Sequence, residues 1–104
     1  MMLIPIQPLP NQSLQVQLGN QPCTIQLNQT LYGLICTLYI SGALIIGGVL
    51  CENLNRIVRS LYLGFVGDLV FYDTQGSNDP VYQGLGARYQ LIYLEASDLP
   101  PNVG

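Results

Sequence analysis

The chain has 104 residues, of which 49% are apolar and only 9% are charged, and it contains neither histidine nor lysine. Its net charge of −3 argues against nucleic-acid binding, because that function needs clustered cations. The missing residue types exclude Ser-His-Asp, Cys-His, Schiff-base and P-loop chemistry within one chain. Every charged residue follows Cys51, so we expect the first 51 residues to lie either in a membrane or against other protein chains.

The N-terminal segment is apolar and is interrupted by Pro5, Pro8 and Pro10. It lacks the basic residues and the continuous apolar run of a signal peptide, so we expect synthesis in the reducing cytoplasm. The chain also has three cysteines without a CxxC pair. We predict that they are buried thiols, and neither metal ligands nor a disulfide framework: Cys23, Cys36 and Cys51.

Residues 14–18 and 23–27 alternate strictly between apolar and polar side chains, which is the period of a β-strand. The turn residues at 19–22, Gly-Asn-Gln-Pro, predict a hairpin between them. One face of this hairpin would point to a core with Leu14, Val16, Leu18, Cys23, Ile25 and Leu27. The opposite face would carry Gln15, Gln17, Thr24 and Gln26.

A second hairpin is predicted from residues 31–40 and 43–51, with a two-residue turn at Ser41-Gly42. The first of its strands is apolar on both faces, and such a strand is usually covered on both sides. In a domain of this size, we expect one cover to come from another chain. The two predicted faces are Tyr32, Leu34, Cys36 and Leu38 on one side, and Leu31, Ile35, Thr37 and Tyr39 on the other.

The same uncharged stretch, residues 31–50, is also long enough for a transmembrane helix. Its four glycines would weaken a helix, and the central Ser41-Gly42 pair is typical of a turn between strands. Strands are therefore favoured, and we expect no membrane span.

The second half of the chain predicts further strands and a single domain. The predicted segments are a third strand region at 61–73 with a turn at Gly67-Asp68 or bends at Gly64 and Gly67, a loop at 74–80, a last strand at 87–94 and an irregular tail at 99–104. Together the elements predict one all-β domain over residues 1–98. Its fold would be a small antiparallel β-sandwich or barrel of about six or seven short strands.

The sequence predicts no catalytic residue, no metal site and no cofactor. Asp68 and Asp73 would serve as a carboxylate pair on a glycoside only if they converged within about 10 Å. The loop from Asp73 to Asp79 departs from the EF-hand pattern that binds calcium. A second class of function is a small sugar-binding module with a pocket formed by Tyr89 and Tyr93.

We predict instead that contacts with other protein chains carry the function. Arginine pairs bidentately with carboxylates, and tyrosine combines a large apolar ring with a polar end, so both suit interfaces. The candidate interface residues are Arg56, Arg59, Asp68, Asp73, Asp79, Arg88, Tyr32 and Tyr39.

Several motifs resemble the phage baseplate plug family over essentially the whole chain. They are LGNQPCTIQL at 18–27, LYISGALIIGGVLCENLNRIV at 38–58 and YLGFVGDLVFYDTQGSNDPVYQGLGARYQLIYL at 62–94. The resemblance implies a non-enzymatic structural protein of a contractile-tail baseplate that helps to close the central channel near the junction of tail tube and spike. It implies hub, tube or spike proteins, or further copies of the chain, as partners. Assembly would take place in the host cytoplasm, and the mature location would be the virion.

Overall fold

The computed structural model of the protein describes residues 2–58 and 67–95, and these ranges contain seven β-strands and one short 3-10 helix. The helix spans Tyr82–Gly84. In chain order the strands are β1 (Met2–Ile4), β2 (Asn11–Leu18), β3 (Gln21–Thr30), β4 (Gly33–Ile40), β5 (Ala43–Leu50), β6 (Asp68–Asp73) and β7 (Tyr89–Leu94).

The strands form two antiparallel sheets that pack face to face. The first sheet has the order β2-β3-β4-β5, and the second has the order β1-β7-β6. Side chains from both sheets meet in one apolar core, and the sheets do not close into a barrel. The predicted all-β sandwich is confirmed, and the barrel alternative is not formed.

Two of the turns have the backbone conformation that favours a tight hairpin. Gly19 and Asn20 have φ of 56° and 62°, and Ser41 and Gly42 have φ of 51° and 83°. Positive φ at both central residues is the type I′ geometry that follows the natural twist of paired strands. Both predicted hairpins are therefore confirmed, including the turn at Ser41-Gly42. The first turn is shorter than the predicted 19–22, because Gln21 and Pro22 already pair with β2.

The turn between β3 and β4 corrects one detail of the sequence analysis. Leu31 and Tyr32, predicted to lie in a strand, form the two-residue turn between Thr30 and Gly33. The Thr30 hydroxyl donates a hydrogen bond of 2.8 Å to the Gly33 carbonyl and accepts one of 3.2 Å from the Tyr32 N–H. The prediction for this pair was wrong because period-two alternation does not show where a strand ends.

The core lies between the sheets and confirms the predicted inward face of the first hairpin in β3. Ile25 and Leu27 are fully buried there, as are Leu34 and Leu38 on β4. Leu14 and Val16 point the same way from β2 but are only half-buried. Each fully buried aliphatic side chain contributes about 1.5–3 kcal/mol relative to an exposed one.

The second sheet departs from the predictions at its ends. β1 was not predicted, because Met2–Ile4 is too short to show alternation, yet it pairs with β7. Asp68 is not part of a turn but opens β6, where it faces Leu94. The loop at 74–80 is confirmed, and the last strand begins at Tyr89. Gly64 and the tail at 99–104 lie outside the described residues.

The stretch considered as a membrane helix is a β-hairpin. β4 and β5 occupy Gly33–Ile40 and Ala43–Leu50, in antiparallel register. In the part of the chain that the structure describes, no helix has the length and hydropathy needed to cross a bilayer.

Candidate docking surface

The four-stranded sheet presents a broad face that the second sheet does not cover. The strand register places its side chains in rows, one of which runs from Gln15 through Thr24 and Tyr39 to Leu44. We call this surface the outer face. Its residues are Asn11, Ser13, Gln15, Gln17, Thr24, Gln26, Asn28, Ile35, Thr37, Tyr39, Leu44 and Leu50.

The outer face carries no charged side chain, because all of its residues precede Glu52. Its β2 and β3 half is rich in amides and hydroxyls, which can hydrogen-bond to a neighbour at a lower desolvation cost than charged groups. One cross-strand contact already orders this half, where the Asn28 amide donates a hydrogen bond of 3.0 Å to the Asn11 side-chain oxygen.

The β4 and β5 half of the outer face is apolar. Leu44 is 59% exposed and Leu50 is 42% exposed, while Ile35 and Tyr39 are half-buried beside them. The turn between β3 and β4 adds Leu31 and Tyr32, which are almost fully exposed. An uncharged surface that joins amides to exposed apolar groups is typical of a protein contact surface rather than of a freely hydrated one.

An open depression of about 340 Å³ lies on the polar half of this region. It is lined by Asn11, Gln12, Ser13, Gln26 and Asn28. These residues supply several hydrogen-bond donors and acceptors and none is aliphatic or aromatic, whereas small-molecule sites are lined mostly by aliphatic and aromatic residues. It therefore fits an amide- or hydroxyl-bearing protein surface better than a small ligand.

The described charged residues among the predicted interface residues lie elsewhere, in and around the second sheet. Asp73, fully buried, forms a bidentate pair with Arg88, with distances of 2.8 Å from Nε to Oδ1 and 2.9 Å from the second guanidinium nitrogen to Oδ2. The Asp73 oxygens also accept hydrogen bonds from the backbone N–H groups of Gln75 and Asn78. Arg88 in turn lies over the ring of Tyr89, 5.1 Å from its centroid.

This arrangement sets the protonation state of the pair. The hydrogen bonds from the Arg88 guanidinium hold the pKa of the Asp73 carboxyl well below its ordinary value, although burial opposes the effect. The pKa of Arg88 is raised for the reciprocal reason. The loop after β6 is thereby folded around an ionised carboxylate.

Two other predicted interface carboxylates also have partners within the chain. Asp68 is buried, and its Oδ1 accepts hydrogen bonds of 2.8 Å and 2.7 Å from the backbone N–H groups of Val58 and Leu69. Asp79 accepts one of 3.0 Å from the N–H of Asn53. These contacts fix loops and strand ends of the second sheet.

The remaining predicted interface residues have three different locations. Tyr39 lies on the outer face and Tyr32 at the tip of the β3–β4 turn. Arg56 is half-buried and forms a backbone bridge with Val70 of β6. Arg59 lies outside the described residues. Among the seven candidates within the described residues, only the two tyrosines lie near the uncharged surface, and a contact with another chain stays a prediction for all eight residues.

The two alternative kinds of site do not form. Asp68 and Asp73 stand at opposite ends of β6, about 17 Å apart along the strand, and each is occupied by hydrogen bonds. Tyr89 and Tyr93 are 5% and 2% exposed and belong to the core, so their rings are not open for stacking on a sugar.

The three cysteines are free and buried, which confirms their prediction as structural thiols. Burial raises the pKa of the Cys23 thiol. A hydrogen bond with Cys36, together with burial, raises the pKa of the Cys51 thiol. Within residues 2–58 and 67–95, no cluster of three Cys, Asp or Glu side chains could hold a metal ion.

The sequence predicted that the uncharged hairpins lie against other chains, but Tyr39 is the single outer-face residue among the named interface candidates. Gln15, Thr24 and Gln26 were placed correctly opposite the core, yet the candidates were chosen by side-chain charge and by tyrosine content. The available signal was the combination of alternation with absence of charge across both hairpins. Leu31 and Leu44 could not be selected without the turn position and the strand register.

Comparison with known proteins identifies a family for this chain. A search of curated proteins finds no match. The family described as cyanophage baseplate Pam3 plug gp18 matches residues 1–96, which is nearly the whole chain and confirms the resemblance seen in the sequence. The chain therefore belongs to this phage baseplate plug family, which makes it a virion-associated structural protein that contacts other baseplate or tail components.

Proposed function

We propose that the chain is a non-enzymatic plug in the baseplate of a contractile tail, where it helps to seal the central channel near the junction of tail tube and spike. The observation that supports the proposal most is the uncharged outer face on a member of a baseplate plug family. This face docks on hub, tube or spike subunits, or on further copies of the chain. The subunit is made and assembled in the host cytoplasm.

The composition of the outer face suits a permanent contact. Burial of the exposed Leu44 and Leu50 side chains would stabilise a contact by roughly 25 cal/mol per Å² of apolar surface removed from water. The amides of Gln15 and Gln26 can exchange hydrogen bonds with water for hydrogen bonds with a partner, without burial of an unpaired charge. A surface of this kind contributes to docking and is a liability on an isolated subunit.

The distribution of charge suggests how the plug is oriented. All the described acids lie on the second sheet or on its loops, and Asp79 and Glu95 are exposed there. With a net charge of −3, this side would repel the phosphate backbone of DNA if it faced the channel. The proposed orientation therefore places the outer face against protein and the acidic side toward the channel.

The docking surface can be tested with a nearly isosteric charge substitution. Gln26→Glu puts one negative charge in the centre of the outer face, and the matched control Gln83→Glu makes the same change on the exposed 3-10 helix. Each variant is supplied to a phage that lacks the native gene, and its amount in purified tails is measured by mass spectrometry. We expect strong loss of incorporation for Gln26→Glu only, and equal incorporation of both variants would contradict the proposed docking surface.

The channel role needs a separate test. Particles assembled without the chain are compared with native particles for genome retention and for a closed channel in reconstructions of the tail. We expect particles without the chain to show an open channel and to lose DNA early. A closed channel with full genome retention in those particles would overturn the sealing role, even if docking on the baseplate is confirmed.

A further inference from the structure

The edges of the two sheets are protected unequally. Exposed edge strands normally carry bulges, charges, prolines or a covering segment, because an open edge pairs with other chains. β5 has two register shifts in its pairing with β4 and a positive φ of 67° at Gly48. β1 has only three residues and is followed by Pro5. Both of these edges are therefore poor templates for a further strand.

The β6 edge is covered by the chain itself. Asn53 and Arg56 form bridges with Phe71 and Val70, and the N–H groups of Leu54 and Ile57 donate hydrogen bonds of 2.8 Å and 2.9 Å to β6 carbonyls. The Asn53 side chain also accepts a hydrogen bond of 2.9 Å from the Asp73 N–H.

β2 has none of these protections in the part of the chain that the structure describes. It is eight residues long, it pairs with β3 over its full length without a register shift, and it contains neither a charged residue nor a proline. No other described strand pairs with it on its second side. A regular, uncharged edge of this length is a template for strand addition.

The register shows which groups of β2 face outward. Leu18 and Gln21 flank the two-residue turn, so they form a hydrogen-bonded pair, and the backbone groups of every second residue from Leu18 point toward β3. Pro10 continues this series of every second residue, and its carbonyl accepts a hydrogen bond of 2.7 Å from the N–H of Gln29 on β3. The outward backbone groups are therefore those of Asn11, Ser13, Gln15 and Gln17.

The core beneath β2 is also incomplete. Leu14 and Val16 point toward the core but are only half-buried, whereas Ile25 and Leu27 on the neighbouring strand are fully buried. A strand added beside β2 would cover the remaining apolar surface of both side chains. The outward backbone groups and the half-buried side chains of β2 are therefore both placed to contact a further strand on this edge.

We propose that β2 of a second copy of this chain occupies this edge, antiparallel and related by a two-fold axis at Leu14. In this register Ser13 faces Gln15 of the second copy and Asn11 faces Gln17, so that the outward groups form about eight backbone hydrogen bonds. Leu14 of one copy lies opposite Leu14 of the other, with both side chains on the core side of the sheet. No charges oppose each other, and the two four-stranded sheets become one sheet of eight strands.

This pairing goes beyond the proposed function and does not depend on it. It uses the edge of the sheet and leaves the outer face available, so that a dimer can form whether or not the chain seals a channel. A monomer that still docks on the baseplate, or a dimer that does not seal the channel, would separate the two ideas.

Sedimentation velocity of the purified full chain over a wide concentration range tests the pairing. We expect a reversible monomer–dimer equilibrium for the native protein. Ser13→Pro removes one outward N–H, and the double variant Ser13→Lys with Gln15→Lys places like charges opposite each other in the dimer. Both should be monomeric at concentrations where the native chain is dimeric, with unchanged β-sheet circular dichroism.

The matched control carries the same two charges on the interior strand, as Thr24→Lys with Gln26→Lys, and should still form the dimer. A cysteine in Leu14→Cys should also give a disulfide-linked dimer on mild oxidation, because the two copies of residue 14 form a close non-hydrogen-bonded pair. A native chain that stays monomeric at every concentration would overturn the proposal. Dimers that survive both edge variants, or that the Thr24 and Gln26 control abolishes, would overturn it as well.

Discussion

At the scale of single residues, the pair of Asp73 and Arg88 organises the largest loop of the second sheet. The carboxylate receives two hydrogen bonds from the guanidinium and two from the backbone of residues 75 and 78. An ionised carboxylate that is satisfied in this way stabilises the fold only while it is deprotonated. The residue was predicted from its charge, but its partner could not be, because the pairing needs the register of β6 and β7.

The lowered pKa of Asp73 gives a pH-dependent contribution to stability. As the pH falls, the Asp73 carboxyl of the unfolded chain, with an ordinary pKa of about 4, is protonated at a higher pH than the same carboxyl of the folded chain. The contribution is therefore complete above that value and is lost as the pH falls toward the lower pKa of the folded state. We expect Asp73→Asn to lower the urea midpoint at pH 7 and to lose this deficit relative to the native protein as the solution is acidified.

The matched control for that experiment is Glu52→Gln, since the Glu52 carboxylate accepts one side-chain hydrogen bond from Asn55 at the surface. Its midpoint should stay close to that of the native protein at every pH. A deficit for Asp73→Asn that is constant from neutral to acidic pH would contradict the role of the ionised carboxylate.

Gly67 is a second residue with a local structural role. It has φ of 97°, and a Cβ at this position would clash with the Leu94 carbonyl oxygen and with the Tyr93 ring. We expect Gly67→Ala to lower the free energy of unfolding by at least about 2 kcal/mol, because it adds a clash to an unfavourable φ. The measurement is urea denaturation followed by circular dichroism.

Gly42 is the control, because its φ of 83° is similar but no atom lies within 4 Å of the added Cβ. Gly42→Ala should lower the free energy of unfolding by about 1 kcal/mol, because it adds only the unfavourable φ and no clash. Equal costs for the two substitutions would mean that packing at Gly67 is unimportant.

At the scale of elements, the hairpins were predictable and the second sheet was only partly so. Strict alternation at 14–18 and 23–27 and the Ser41-Gly42 turn are local signals, and both hairpins follow them. β1 depends on a distant partner, β7, so no local pattern of its three residues could show it. The segment covering β6 was missed for the same reason, since its bridges join Asn53 and Arg56 to another part of the chain.

The same reasoning explains why the candidate surface was only half recognised. Alternation in the sequence is enough to predict that a polar residue such as Gln26 points outward. Leu44 is apolar, and its position on the outer face follows only from its pairing with Tyr39. The shifts in register between β4 and β5 further obscure the alternation there. The apolar half of the outer face therefore required the structure.

The two sides of the β4–β5 hairpin should respond differently to truncation. Leu38 is fully buried in the core, so Leu38→Ala is expected to lower the free energy of unfolding by about 2–5 kcal/mol. Leu44 is 59% exposed on the outer face, so Leu44→Ala should change it by no more than about 0.5 kcal/mol. Thermal and urea denaturation of the purified variants measure both effects. A large loss for Leu44→Ala would indicate that the outer face belongs to the stability of the subunit itself.

At the scale of the whole molecule, the fold separates the charges in space. The four-stranded sheet comes entirely from the uncharged first 51 residues, while the described charges lie in or around the second sheet. One side of the sandwich can therefore be dehydrated without burial of an ion, and the other side carries the hydrated charges. Family membership supplies the setting in which such a separation is useful, since a baseplate plug contacts other baseplate or tail components.

This separation predicts how docking responds to salt. Contacts made by an uncharged face are not screened by ions, so retention of the chain on purified tails should change little between about 0.05 M and about 0.5 M NaCl. Quantitative immunoblotting of tails washed at each salt concentration measures this. Progressive release with rising salt would show that the charged second sheet, and not the outer face, holds the subunit.

A cryo-electron microscopy reconstruction of the intact tail tip would show which surface of the subunit is buried by its neighbours. We predict that the outer face of the four-stranded sheet, including Gln26, Tyr39 and Leu44, lies dry against other protein subunits. An outer face bathed in solvent, with the contacts made instead by the charged second sheet, would contradict it.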